Sequence, residues 1–140
     1  MDIPDINVWL ALVDQNHFHH SAAARYWEND AHTQIAFTRV SMMGLLRLST
    51  QAGVLSRTLS TEEAWDIYRQ FLADPNHRLL PEPASIEDRF AALTTQAALP
   101  HRMRTDAYLA AIALASGSRL VSFDAGFARF PGLNFLRLSP

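Results

Sequence analysis

Three aspartates occupy positions where an α/β protein does chemistry. Asp5 closes a short apolar opening segment, and Asp124 closes Leu120-Val-Ser-Phe123. Asp106 falls in the first turn of a helix, just after Arg102-Met-Arg-Thr105. Each alone reads as a cap or turn residue, since a short carboxylate satisfies the free N–H groups that open a helix. Taken together they imply something else. In an open parallel sheet, ligands sit outside the carboxyl ends of the strands. Three carboxylates gathered there repel one another unless a cation lies between them. Oxygen donors without thiolates, in a chain expected to be cytoplasmic, point to Mg²⁺ or Mn²⁺.

The elements that must position these acids are legible as an alternation. A strand ends near Asp5, and Asp5 to Asn7 marks its junction with a helix, because Asp and Asn cap well and pair poorly in strands. Alanine-rich Ser21 to Glu28 reads as a helix with Ser21 as its N-cap, Thr33 to Val40 as a strand, and Ser41 to Thr50 as a helix. Ser60-Thr-Glu-Glu63 is a capping box opening a helix that runs to about Ala73. His77 to Leu80 is a short strand closed by Pro81 and Pro83. Ser85-Ile-Glu-Asp88 caps a helix that ends before Pro100. Thr105 to Ala115 is a helix stopped by Gly117, and Arg119 to Phe123 and Phe135 to Leu138 are strands. Helices alternating with short apolar strands predict an α/β fold with a parallel sheet.

The 140 residues, 49% hydrophobic with only seven Pro and five Gly, suit one domain over 1–140 with a real core, and exclude a linker or low-complexity protein. No Cys is present, which removes disulfides, thiolate metal sites and Cys nucleophiles. All 12 basic residues are Arg, so lysine Schiff bases and P-loop phosphate clamps are excluded. The same gap excludes a phospho-acceptor receiver domain. Asp5-Ile-Asn7 lacks the Asp-x-Asp of haloacid-dehalogenase-type phosphatases, and no Gly-rich first turn marks a dinucleotide site. The acidic Met1–Asp5 segment is unlike a secretory leader, and the longest apolar run, Val8 to Val13, falls short of a membrane span. The expectation is a cytoplasmic protein without membrane contact. The net charge of −2 at first argues against nucleic acid. With the three acids set aside as ligands, however, eleven carboxylates face twelve Arg, and that objection falls away.

Five motifs then occur in order: Pro4-Asp-Ile-Asn-Val8; His17-Phe-His-His20 with Ala22-Ala-Ala-Arg-Tyr-Trp27; Gly44-Leu-Leu-Arg-Leu48; Thr105-Asp-Ala-Tyr-Leu-Ala110; and Leu120-Val-Ser-Phe-Asp124. Over nearly the whole chain this resembles a PIN-domain ribonuclease of the VapC toxin type. The resemblance implies a three-layer α/β/α sandwich around a short central parallel sheet and Mg²⁺- or Mn²⁺-dependent RNA cleavage. It also implies a homodimer and a small VapB-like antitoxin partner. Asp5, Asp106 and Asp124 then resemble the catalytic metal ligands, with Asn7 and Ser122 bracing them. A bound ion would lower the pKa of a water for in-line attack on the scissile phosphate. Arg39, Arg47, Arg102 and Arg104 are the motif arginines placed to hold flanking phosphates.

One position departs from the pattern. The family's usual Glu before Gly-Leu-Leu-Arg aligns to Met42, and a thioether is a poor ligand for a hard cation. Water or Ser41 is then expected to fill the place, with Glu28, Asp14 or Asp88 as other candidates. The competing reading is a PIN-fold RNA- or protein-binding module whose catalysis Met42 has impaired. His17, His19 and His20 read either as a metal or RNA contact or as the polar lead-in to a helix, whose imidazoles cap, stack or pack. Without acidic company they lack a zinc template. Trp9, Trp27, Trp65, Tyr26 and Tyr68 recur at helical spacing and read as core or dimer contact.

Overall fold

The computed structural model describes residues 1–96 and 99–140. Five strands form one all-parallel sheet: β1 (Asp2–Pro4), β2 (Ile35–Phe37), β3 (His77–Leu79), β4 (Arg119–Ser122) and β5 (Phe135–Arg137), in the order β3-β2-β1-β4-β5. Parallel neighbours need crossovers, and helices supply them: α1 (Ile6–Val13), α2 (His20–Asn29), α3 (Arg39–Ser49), α4 (Thr61–Leu72), α5 (Ile86–Thr95) and α6 (Arg104–Ser116). Short 3₁₀ turns cover His101–Met103 and Ala125–Arg129.

Strand alternation assigns the two faces. Ile3, Ala36 and Leu120 point into a core shared with α5 and α6. Ile35 and Phe37 point to the opposite side, where Trp9 of α1, Leu45 of α3 and Tyr68 of α4 pack. Val121 joins them there against Val8 and Tyr26. Both faces are therefore covered, as the expected α/β/α sandwich requires. Trp9 stacks on Phe37 at 3.8 Å between ring centroids. Trp9, Tyr26 and Tyr68 are thus core residues, while Trp65 and Trp27 are half-buried against the same side.

The strands are shorter than the apolar runs suggest. Thr38 already caps α3 through a reciprocal capping box with Ser41, so the run Thr33 to Val40 contributes a strand only over Ile35–Phe37. Helix α2 starts at His20, one residue before the expected Ser21 cap, with His19 in the cap position and no side-chain bond there. Ser85 stands at the cap of α5 without making a side-chain bond either. The Ser60–Glu63 capping box forms as expected. Gly117 ends α6 in the left-handed region at φ 62°, where a Cβ would be strained. Among the described residues no helix is long and apolar enough to cross a membrane.

Candidate active site

The strand order creates the site. From β1 the chain moves outward through β2 and β3, then returns to the other side of β1 for β4, so β1 and β4 flank the topological switch point where ligands bind in open α/β sheets. Asp5 follows β1 directly and Asp124 follows β4 by two residues. Both also cap: Asp5 Oδ1 accepts the Ile6 N–H at 2.7 Å, and Asp124 Oδ1 accepts the Gly126 N–H at 2.7 Å. The cap reading and the chemical reading therefore hold for the same residues. Gly126 packs closely at this turn: a Cβ there would lie 3.0 Å from both Asp124 Oδ1 and Met103 Cε, so those side chains would have to give way.

Ser122 ties the acids together. Its hydroxyl, fully buried, donates to Asp5 Oδ2 at 2.8 Å and accepts from Asn7 Nδ2 at 3.0 Å and from the Asp124 N–H at 3.0 Å. Asn7 Oδ1 also accepts the Phe123 N–H at 3.4 Å. Asn7 thus supports Asp5 through Ser122 rather than by direct contact. Burial pushes the Asp5 carboxyl up to about 6, against the hydrogen bonds from Ser122 and Ile6, and the charges of Asp106 and Asp124 add to the rise. Asp106 is raised as well, by burial and then by Asp124. Asp5 therefore feels the charges of both other acids, and Asp106 feels that of Asp124.

A cleft of about 420 Å³ opens over Asp5 and Asp106, with Ser41, Met43, Arg47 and Thr105 in its walls. A larger cavity of about 470 Å³ lies elsewhere, lined by Trp27, Phe71 and His77. Its one acid, Asp74, sits 3.9 Å from His77, so it offers no comparable cluster of charge. Hard oxygen donors carrying up to three negative charges suit a divalent cation. Among the described residues, though, no group of three or more His, Asp or Glu side chains is already arranged as a metal cage. Asp124 is exposed on its turn, with Oδ1 held by the Gly126 N–H.

The arginines divide. Arg47 lines the acid cleft, and Arg104 lines an adjoining recess of about 320 Å³ with Val40, Thr105 and Tyr108. Arg102 lies exposed on the 3₁₀ turn before α6. Arg39 is exposed at the start of α3, where its charge acts on Tyr68 of α4 instead. Among the described residues none of the four is in an ion pair.

The structure also relocates the Met42 question. Met42 is buried in the apolar cluster with Trp9, Phe37 and Leu45, while Met43, 53% exposed, faces the cleft. Helical spacing explains the split: Met42 shares the core face with Leu45 and Ser49, and its neighbour must turn outward. Ser41 reaches the cleft, but its hydroxyl is committed to the capping box with Thr38. Asp14 does not lean in. Its carboxylate accepts the Ser56 N–H and hydroxyl, each at 2.7 Å, which fixes the α3–α4 connection to the end of α1. Glu28 and Asp88 lie on α2 and α5 and do not line the cleft. The His segment packs locally: His17 Nδ1 accepts the His19 N–H, His20 Nδ1 donates to the Ala11 carbonyl at 2.7 Å, and His19 stacks on Phe123.

One contributor carried no sequence signal of its own: Met43 lines the cleft from α3, beside Thr105 and Asp106 of α6.

An acid cluster at the switch point of a five-stranded parallel sheet defines a class, and residues 3–133 match the model of the PIN domain family. The chain belongs to that family. It is 37% identical over 140 residues to Ribonuclease VapC41 of Mycobacterium tuberculosis, covering 96% of this chain and 95% of that protein. It is 33% identical over 137 residues to Ribonuclease VapC33 of the same organism, at 96% of both. Among solved structures, it is similar to Mycobacterium tuberculosis VapC20, described as a Sarcin-Ricin loop cleaving toxin, with TM-score 0.74 at 15% identity over 96% of this chain and 98% of that one.

Proposed function

We propose that this protein is a metal-dependent endoribonuclease, one PIN domain acting in the cytoplasm as the toxin of a VapBC-type pair. RNA is its substrate and a small VapB-like antitoxin its inhibitor, and the working form is a homodimer. The observation that carries the reading is the buried Asp5 carboxylate, held by Ser122 and Ile6 at the switch point with Asp106 and Asp124, not arginines, as its charged neighbours. Relatives named ribonucleases over nearly the full length of both chains support the same reading.

Asp5, Asp106 and Asp124 hold one Mg²⁺ or Mn²⁺ in this reading. The ion, when bound, supplies a water of lowered pKa and neutralises charge on the phosphate. Ser122 keeps Asp5 in one orientation, and Asn7 keeps Ser122 in place. Arg47 reaches a phosphate in the cleft as a charged fork, a role that Lys fills less well. Arg104, from the adjoining recess, engages a neighbouring phosphate. The non-cleaving alternative is not favoured, since Met42 is a packing residue here and the three acids are intact.

The test is RNA cleavage with Mg²⁺ and with Mn²⁺ by wild type, Asp5→Asn and Asp106→Asn. Metal-dependent cutting by wild type and loss in both variants is expected; equal behaviour of all three overturns the catalytic assignment. Thermal unfolding gives a second readout. Mn²⁺ raises the wild-type midpoint by mass action and leaves that of Asp5→Asn unmoved.

A further inference from the structure

Phe18 is the most exposed large apolar side chain among the described residues, at 85%. A ring left in water forgoes the stabilisation that burial gives, so its setting matters. It does not hang on a slack loop. The His17 N–H donates to the Asp14 carbonyl at 2.9 Å, the His19 N–H to His17 Nδ1 at 3.1 Å, and the His20 N–H to the His17 carbonyl at 2.9 Å. The turn that displays the ring is therefore tied down on both sides.

That turn is also joined to the acid cluster. Phe18 meets His19 edge-to-face at 4.9 Å and 77°. His19 in turn lies flat on Phe123 at 4.3 Å and 15°. Among the described residues its Nδ1 is buried without a hydrogen-bond partner, so stacking is what holds this imidazole. Phe123 directly precedes Asp124 and gives its N–H to Asn7. Three rings thus run from the acids outward to solvent. Burial first, and then the neighbouring His19, hold His17 below its usual histidine value.

We propose that Phe18, backed by His19 and Phe123, is a stacking platform for a nucleobase of the RNA strand that flanks the scissile phosphate. The proposal rests on the ribonuclease reading and adds a positioning residue to it. A single exposed ring suits a base, because every base offers a π-face and one ring is enough to stack it. A protein partner needs a continuous apolar patch, whereas the residues flanking Phe18 in the chain, Gln15, Asn16, His17 and His19, are polar. The arrangement also separates two tasks on one strand: Arg47 takes phosphate in the cleft, and Phe18 takes a base beyond Asp124.

The experiment measures binding of a fluorescein-labelled oligoadenylate by anisotropy to the full-length chain, in an Asp5→Asn background so that the probe is not cut. Phe18→Ala should raise Kd about tenfold, and Phe18→Trp should hold it near the parent value. An abasic ribose at the stacked position should cost the parent the same factor and Phe18→Ala nothing further. Unchanged binding in Phe18→Ala overturns the platform, as does failure of the parent to bind. A shift of Phe18→Ala to a smaller species on size exclusion also overturns it, because the ring would then be an interface between copies. The ribonuclease reading fails separately, if wild type binds the oligomer and cuts no RNA.

Discussion

The two ends of β1 carry one aspartate each, Asp2 at the amino end and Asp5 just past the carboxyl end, and both side chains are buried. Asp2 pairs in register with Arg119 on β4 and takes a bidentate bond from it, Nε to Oδ1 at 2.9 Å and Nη2 to Oδ2 at 2.8 Å. The Tyr26 hydroxyl and the His32 N–H add bonds of 2.8 and 3.0 Å. Burial alone would raise this carboxyl, but Arg119, His32 and Tyr26 together outweigh it and hold Asp2 below its ordinary value. Asp5 is buried as well, yet its partners are one hydroxyl and one N–H, its charged neighbours are acids, and it rises to about 6. The same two strands supply both ends. One end is saturated by protein groups, and the other keeps unneutralised charge in a cleft. A fully satisfied buried carboxylate locks structure, while an under-compensated one marks a binding site.

Removing the cation at the amino end should cost most. Arg119→Met takes the guanidinium from a fully buried carboxylate and leaves it to Tyr26 and His32, and about 3 kcal/mol of stability should be lost at neutral pH. Denaturant unfolding measures this; a loss below about 1 kcal/mol would make the two ends energetically alike. The sign with pH follows from the lowered value. Asp2 contributes stability above its unfolded pKa of about 4, and that contribution is lost as pH falls through the lower folded value. The gap between wild type and Arg119→Met should therefore narrow in acid.

At the other end the sign reverses. The folded Asp5 value of about 6 lies above the unfolded value, so the folded state holds this proton more tightly. Its contribution is complete below about pH 4, falls away between about pH 4 and 6, and above that the buried charge costs about 3 kcal/mol. Asp5→Asn should thus abolish RNA cleavage while raising the metal-free unfolding midpoint above pH 6, with no gain near pH 4. A midpoint that drops at all pH values would show that Asp5 serves structure as Asp2 does.

The smallest effect belongs to the hydroxyl that holds Asp5. Ser122→Ala removes the donor to Asp5 and the acceptor for Asn7 and the Asp124 N–H, worth about 1–3 kcal/mol. Without that donor the Asp5 carboxyl should rise further, which a carbon-detected NMR titration reads directly. An unchanged titration would mean that burial and the acidic neighbours alone set its value.

Much of this contrast could be read before any coordinates. The positions of Asp5, Asp106 and Asp124 after predicted strands and in a predicted first turn follow from cap chemistry and strand ends, which are local. Met42 and Met43 could not be separated so simply, because a one-residue difference on α3 is a rotation of about 100°, and only packing against Trp9 and Phe37 fixes its phase. Strand lengths escaped for a similar reason: the capping box formed by Thr38 and Ser41 ends β2 earlier than its apolar run implies. Asp2 gave no sign of its role, since its partner Arg119 is 117 residues away. Phe18 carries no local signal either, since only the stacking of His19 on Phe123 joins its turn to the acid cluster.

The sequence by itself determined the alternation of helices and strands, the absence of thiol and lysine chemistry, and which acids stand at strand ends, because these depend on side-chain type and on periods of a few residues. Tertiary structure alone decided that β4 returns beside β1. That return pairs Asp2 with Arg119 at one end of the two strands and brings Asp5, Ser122 and Asp124 together at the other. Whether a buried carboxylate is neutralised or left charged depends on which groups long-range strand pairing sets beside it, and no local pattern carries that information.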